Sequence, residues 1–401
     1  MNFALRAGTV AMPGCSTSPG YLTVKDGLVA DVGPGDPPAA GGDTGPVVDV
    51  GEGSVVAGFF DVHVHGGDGA QVNGDSVDEV VASVERIARF HARHGTTSML
   101  ATTVSDSPER LLTTVAGVAE VMRAGVAGGA TVRGIHLEGP WIARAKMGAQ
   151  DPWALRPPDV DELAGLVAAA EGGIRMVTVA PELPGSRRLI TAACRAGIVV
   201  AIGHTDADFA TTVGAIEAGA RHATHLFNAM APPHHRRPGA VTALLLDERV
   251  TFELIADLEH VHPAVMALTA RSNPGRLVVV TDAVPAAGLE PGTYQLGHLE
   301  VSVEASRVTL AGDPATLAGS LLTMEQAVRN LVIGAGMPLL DALEAAASTP
   351  ALAAGIDDIG ELSPGRPADF VVLDLDLGVM ATVVAGRPVF DPAGLLADVA
   401  G

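Results

Sequence analysis

Gly58-Phe59-Phe60-Asp61-Val62-His63-Val64-His65 is the stretch whose reading decides the fold. Phe59–Val64 is an apolar run of strand length that opens after a glycine and closes on two histidines. Before Gly58 the chain reads as short strands and turns; after it, apolar runs alternate with Ala-rich segments of helix length. The further runs are Thr97–Thr102, Val132–Leu137, Met176–Val179, Val199–Gly203, Ala223–Leu226, Thr251–Ala256 and Leu277–Val280. Eight such runs with helices between them predict an α/β fold, a (β/α)8 barrel of the TIM type.

The flanks break this alternation. Leu22–Val24 and Leu28–Val32 surround Asp26-Gly27, a hairpin signal, and Gly33 to Pro46 reads as a loop. Val47–Val50 and Ser54–Val56 resume the strand pattern, as do Asp369–Leu373 and Thr382–Val384 near the other end. These terminal strands are expected to meet in one small β-sandwich domain. The expected organisation is residues 1–57 and 359–401 for that domain and 58–358 for the barrel. Tyr294 to Leu310 alternates in polarity and predicts a hairpin inserted after the eighth strand.

Composition narrows the function classes. The formal net charge of −21 disfavours nucleic acid and anionic membranes, because both rely on Lys and Arg contacts. Two cysteines, Cys15 and Cys194, make no disulfide framework. No apolar run is long enough to span a bilayer, and Met1 to Val10 lacks a long apolar stretch. A cytoplasmic protein acting on a small molecule is expected.

In such barrels the active site lies at the C-terminal ends of the strands. Those ends carry His63 and His65, Glu138, His204, His225, Asp257 with His260, and Asp282. Residues i and i+2 share one side of a strand, so His63 and His65 can face one ion. Glu138 ends an apolar run, where a carboxylate is costly unless paired or metal-bound. Asp282 can bind a metal and also take a proton from its water. The only lysines, Lys25 and Lys146, lie away from the fourth strand, so any oxygen bridging two metals must come from elsewhere. Glu138 is the natural candidate. His136 shares the side of Glu138 by strand period and reads as a support behind the ligands or as structural, His222 reads as structural, and His91 and His94 carry no assigned function. His234-His235-Arg236-Arg237 is the densest basic stretch, and Arg236 can grip a phosphate through a forked pair of hydrogen bonds.

His136-Leu137-Glu138-Gly139-Pro140, Gly203 to Ala207, Thr224 to Met230 and Leu317 to Met324 together resemble the N-acetylglucosamine-6-phosphate deacetylases of the amidohydrolase superfamily. The resemblance runs from Gly58 to the terminal strands. It implies a homodimer and one or two divalent ions; His, Glu and Asp ligands suit Zn2+, taken first, or Fe2+, Mn2+ or Co2+. It implies Glu138, His204 and His225 as metal ligands, with His63 and His65 marking a second site bridged by Glu138. Asp282 would be both ligand and catalytic acid/base. Ala149, Gln150, Asn228, Ala229, Arg236, Asp257, His260 and Leu317 would hold the amino sugar phosphate, with Arg236 in its own or the neighbouring subunit. Two positions depart from the family pattern: Gln150 stands where a histidine is usual, and Leu258 where a glycine is usual. The implied reaction is hydrolysis of the acetamide of N-acetylglucosamine 6-phosphate to glucosamine 6-phosphate and acetate. A related N-acyl amino sugar phosphate such as N-acetylgalactosamine 6-phosphate, and a sugar-phosphate sensor without turnover, are the alternatives.

Overall fold

The computed structural model describes residues 1–38 and 45–399. Eight parallel strands pair in chain order: Phe59–Val64, Thr96–Thr103, Thr131–Glu138, Ile174–Val179, Val199–Ile202, His222–Ala223, Thr251–Ile255 and Leu277–Val280. The last returns to the first, where Asp282 N–H donates to His63 O at 2.9 Å and Val64 bridges Ala283. The ring is therefore a (β/α)8 barrel of the TIM type.

A helix follows each of the first seven strands, and a side-chain cap starts five of them. Val77–Ala92 begins at Ser76, whose hydroxyl accepts from Glu79 N, while Glu79 reaches back to Asp75 N. Val80, Val84, Ile87 and Ala88 recur at helical spacing and are buried against the barrel. Ser76→Ala would remove that cap at a cost of about 1 kcal/mol. Ser107, Asp159 and Asp208 cap the second, third and fifth helices in the same way.

The sixth strand is shorter than the expected run Ala223–Leu226. It covers only His222–Ala223, because the chain turns out of the sheet at once. His225, Phe227 and Ala229 all take positive φ there. The insertion after the eighth strand is larger than the expected hairpin. Gly292–Leu296, Leu299–Glu304, Arg307–Leu310 and Asp313–Leu317 form a four-stranded antiparallel sheet. Its inner residues Val301, Val303 and Val308 pack with Val104 and Val284 of the barrel rim. That contact seats the insertion over the strand ends.

Two further sheets come from the terminal segments. Leu28–Pro34, Gly20–Lys25, Asn2–Ala7 and Val47–Asp49 form one, with Asp26 and Gly27 at positive φ in the hairpin turn. In the other, Ser54–Ala57 pairs with Phe370–Leu373, joining strands from both ends of the chain. Phe3, Leu5, Leu22, Val55, Phe370 and Val383 fill the layer between them. Part of the expected loop, residues 39–44, lies outside the described residues; Gly33 and Pro34 belong to a strand.

Candidate active site at the barrel mouth

The C-terminal strand ends converge as the strand reading requires. Glu138 Oε1 lies 3.0 Å from His204 Nε2 and 2.9 Å from His225 Nε2, and those two nitrogens are 3.1 Å apart. His63 Nε2 and His65 Nε2 are 3.1 Å apart, and Asp282 Oδ1 is 3.5 and 3.2 Å from them. Glu138 lies between the two groups, with Oε1 3.5 Å from His63 Nε2 and Oε2 3.3 Å from His65 Nε2. All six side chains are buried.

The backbone is strained at these positions. His204, His225 and Asp282 have φ of 47°, 27° and 49°, a region that side chains with a Cβ rarely adopt. Each is the residue that turns the chain off a barrel strand and aims its side chain inward. Gly203 permits this at the fifth strand, since a Cβ there would sit 2.6 Å from Thr224 Cβ. Gly319, at φ 64°, lets the following loop approach, and Ser320 N–H donates to Asp282 O at 2.8 Å.

The hydrogen bonds behind the rings decide what the ring fronts can do. His204 Nδ1 donates to Lys146 O at 2.8 Å, His65 Nδ1 to Thr102 O at 3.1 Å, and His63 Nδ1 to Glu253 Oε2 at 2.9 Å. Each partner is an acceptor only, so each Nε2 presents a lone pair when the ring is neutral. Lone pairs and carboxylate oxygens then crowd together at about 3 Å with no proton between them. Such a set calls for a cation. Without an ion the same carboxylates favour a proton instead: burial alone would depress His63, but Glu253, Glu138 and Asp282 outweigh it and push its pKa up to about 10. Burial alone would raise Glu138, but His204 and His63 hold it well below the usual carboxylate range. The donor set of imidazoles and carboxylates suits Zn2+, Fe2+, Mn2+ or Co2+. Two separate groups could each hold an ion: Glu138 with His204 and His225, and His63 with His65 and Asp282.

A cavity of about 310 Å³ opens in front of these groups. Ala149, Gln150, Asn228, Ala229, His260 and Leu317, all singled out in the sequence, line it. Asp257 stands behind the wall, with Oδ2 accepting from His260 Nδ1 at 2.6 Å. Arg236 is not brought in: it is exposed on its loop, beside His235 Nε2 at 2.8 Å. Gln150 is tied at both ends of its amide. Its Oε1 accepts from Ser105 N at 2.6 Å and its Nε2 donates to Glu138 Oε2 at 2.5 Å. Leu258 itself takes the left-handed backbone that a glycine adopts freely, at φ 71°.

His136 and His222 have both ring nitrogens engaged inside the barrel. His136 bonds Val62 O and Thr178 Oγ1; His222 bonds Thr251 Oγ1 and Glu253 Oε1. Sequence reasoning missed Glu253 and passed over Asp61, both fully buried. Asp61 accepts from Thr281 Oγ1 and from His63 N, binding the first strand to the last. The signal was present, because an acid inside the apolar run Thr251 to Ala256 must find partners, as Glu138 does.

Comparison with known proteins gives the family of this chain. A match to the amidohydrolase family spans residues 54–398. N-acetylglucosamine-6-phosphate deacetylase of Bos taurus is 41% identical over 341 residues, 83% of this chain and 82% of that protein. N-acetylgalactosamine-6-phosphate deacetylase of Escherichia coli O157:H7 is 37% identical, over 82% of this chain and 86% of that protein. The structure of a mutant N-acetyl-D-glucosamine-6-phosphate deacetylase from Mycobacterium smegmatis, in complex with N-acetyl-D-glucosamine 6-phosphate, superposes with a TM-score of 0.90 at 40% identity. It covers 96% of this chain and 99% of its own. The chain thus belongs to the amidohydrolase family, and within it to the N-acetylglucosamine-6-phosphate deacetylases.

Proposed function

We propose that this protein hydrolyses the acetamide of N-acetylglucosamine 6-phosphate, releasing acetate and glucosamine 6-phosphate. The observation that carries this reading is the facing of imidazole lone pairs and carboxylates across the barrel mouth, in front of a cavity sized for one small molecule. Glu138, His204 and His225 would hold one divalent ion; His63, His65 and Asp282 would hold a second, with Glu138 between them. An ion held there would supply Lewis acidity toward the acetamide carbonyl and toward the attacking water. Zn2+ is the first choice on ligand chemistry.

The chain's own residues then do the rest. Asp282 takes the proton of the attacking water and passes it to the nitrogen as the C–N bond breaks. Its Oδ1 is the oxygen that faces His63 and His65, which leaves Oδ2 for this task. Gln150 holds Glu138 still and offers one further amide N–H. His260, fixed by Asp257, presents its other ring nitrogen to the substrate side. The leucine and valine wall of Leu296, Leu317 and Val284 keeps bulk water away from the acyl group.

Among the described residues no Lys or Arg lines this cavity, so a phosphate there lacks a permanently cationic side chain. Arg236 of a second copy of this chain supplies one in our reading, which makes a homodimer the working form. A cytoplasmic location fits a phosphorylated substrate. N-acetylgalactosamine 6-phosphate is a second reading, favoured by the 37% identity to a deacetylase of that name. Steady-state rates on both sugar phosphates and on unphosphorylated N-acetylglucosamine separate these. Arg236→Ala should raise KM for the phosphorylated sugar by about 10–100-fold, the worth of a charge-assisted hydrogen bond. Equal kcat/KM with and without phosphate would sink the role of Arg236.

A further inference from the structure

We infer that Glu253 is a positioning residue, fixing the tautomer of His63 and the backbone of His225 through one carboxylate. The inference rests on the metal-centre reading given above. Glu253 sits in the middle of the seventh strand and is wholly buried. Its Oε2 accepts from His63 Nδ1 at 2.9 Å and from His225 N at 2.8 Å. Its Oε1 accepts from His222 Nε2 at 3.1 Å. One side chain thus reaches a residue of each ligand group.

An ionised carboxylate only accepts, so His63 must carry its hydrogen on Nδ1. Its Nε2 lone pair is then turned toward His65 Nε2 and Asp282 Oδ1. The opposite tautomer would put a hydrogen where a ligand atom is needed. His225 depends on Glu253 in a different way. Its Nδ1 is buried without a hydrogen-bond partner, unlike Nδ1 of His63, His65 and His204. The ring has no anchor behind it, so the backbone N–H bond to Glu253 carries the placement.

Glu253 also lies near His63 and His136 in a group that could be read as a third metal site. Both His136 nitrogens are already bonded, to Val62 O and Thr178 Oγ1, so this group serves as a hydrogen-bonded buttress.

The geometry predicts an unusual order of variants. In Glu253→Gln, the amide oxygen can keep both bonds of Oε2 while the NH2 turns to His222 Nε2. His222 can yield its proton there because its Nδ1 faces Thr251 Oγ1 at 2.7 Å, a hydroxyl that donates or accepts. Glu253→Met offers no acceptor. Glu253→Asp keeps the charge but withdraws it from His63 and His225 by one methylene. If charge mattered most, Asp would outperform Gln; if hydrogen-bond geometry matters, Gln wins.

The test titrates metal-free wild type and the three variants with Zn2+ by calorimetry, checks stoichiometry by elemental analysis, and checks folding by circular dichroism. Wild type should take two equivalents, matching the two ligand groups. Gln should stay within about threefold of wild type in both affinities, and Met and Asp should lose about 10–100-fold in one of them. Should the Met variant fail to fold, Asp carries the comparison. Met and Asp variants binding like wild type overturn the inference, as does a Gln variant falling as far as Met. Fewer than two equivalents in wild type instead refutes the two-ion reading on which the inference rests, and the inference with it.

Discussion

Asp282→Asn is the substitution that most directly probes the chemistry. Asparagine keeps the volume of Asp282 and an oxygen to face His65, but it cannot take a proton at neutral pH. The size of the loss follows from what else in the cavity could replace it. His65 and His204 have their Nδ1 atoms spent on backbone carbonyls. Glu138 has Oε1 shared by His204 and His225 and Oε2 held by Gln150. His225 Nδ1 has no partner but is buried behind the ring, and His260 has one nitrogen bound to Asp257 with its ring at the cavity wall. A lost general base at such a site costs about 10²–10⁴ in kcat, or about 2.7–5.4 kcal/mol of barrier. The assay is glucosamine 6-phosphate release under saturating Zn2+, with metal content measured in both proteins. Equal metal content with kcat within tenfold of wild type would refute the assignment of the proton transfer to Asp282. Lost metal would show that Asp282 acts chiefly as a ligand.

Other outcomes follow from single contacts. Gln150→Leu strips the clamp from Glu138 and leaves Ser105 N–H buried without its acceptor; Zn2+ affinity should fall about 10–100-fold and stability by about 1–3 kcal/mol, read by calorimetry and urea unfolding. Leu258→Gly relieves a left-handed leucine worth about 1–2 kcal/mol but surrenders about 1 kcal/mol of apolar burial and adds chain entropy of similar size; stability should change by less than about 1 kcal/mol, with kcat/KM intact. Asp369 gives the pH dependence. Burial pushes its carboxyl up to about 6, so its ionised form is disfavoured in the folded protein, and the cost appears as pH rises through that value. Asp369→Asn keeps an acceptor for Ala385 N and should stabilise the protein by about 1–2 kcal/mol at pH 8, and not at all near pH 4, in urea titrations at both values.

By itself the sequence determined the barrel, because eight apolar runs separated by helix-length segments have one well-covered parallel arrangement. It also determined which groups face the mouth, since a strand's last residues must point there. His63, His65, Glu138, His204, His225 and Asp282 were legible for that reason. Tertiary structure alone decided the rest. The roles of Glu253 and Asp61 depend on contacts across the barrel to residues far away in sequence, such as His63 and Thr281, and no local pattern encodes such a pairing. The binding of Gln150 to Glu138 rather than only to the cavity required the actual path of the intervening loop. The exposure of Arg236 likewise came from its loop's direction, which charge clustering along the chain cannot specify. Periodicity fixes which side of an element is covered; only the closed ring decides which atom meets which across it.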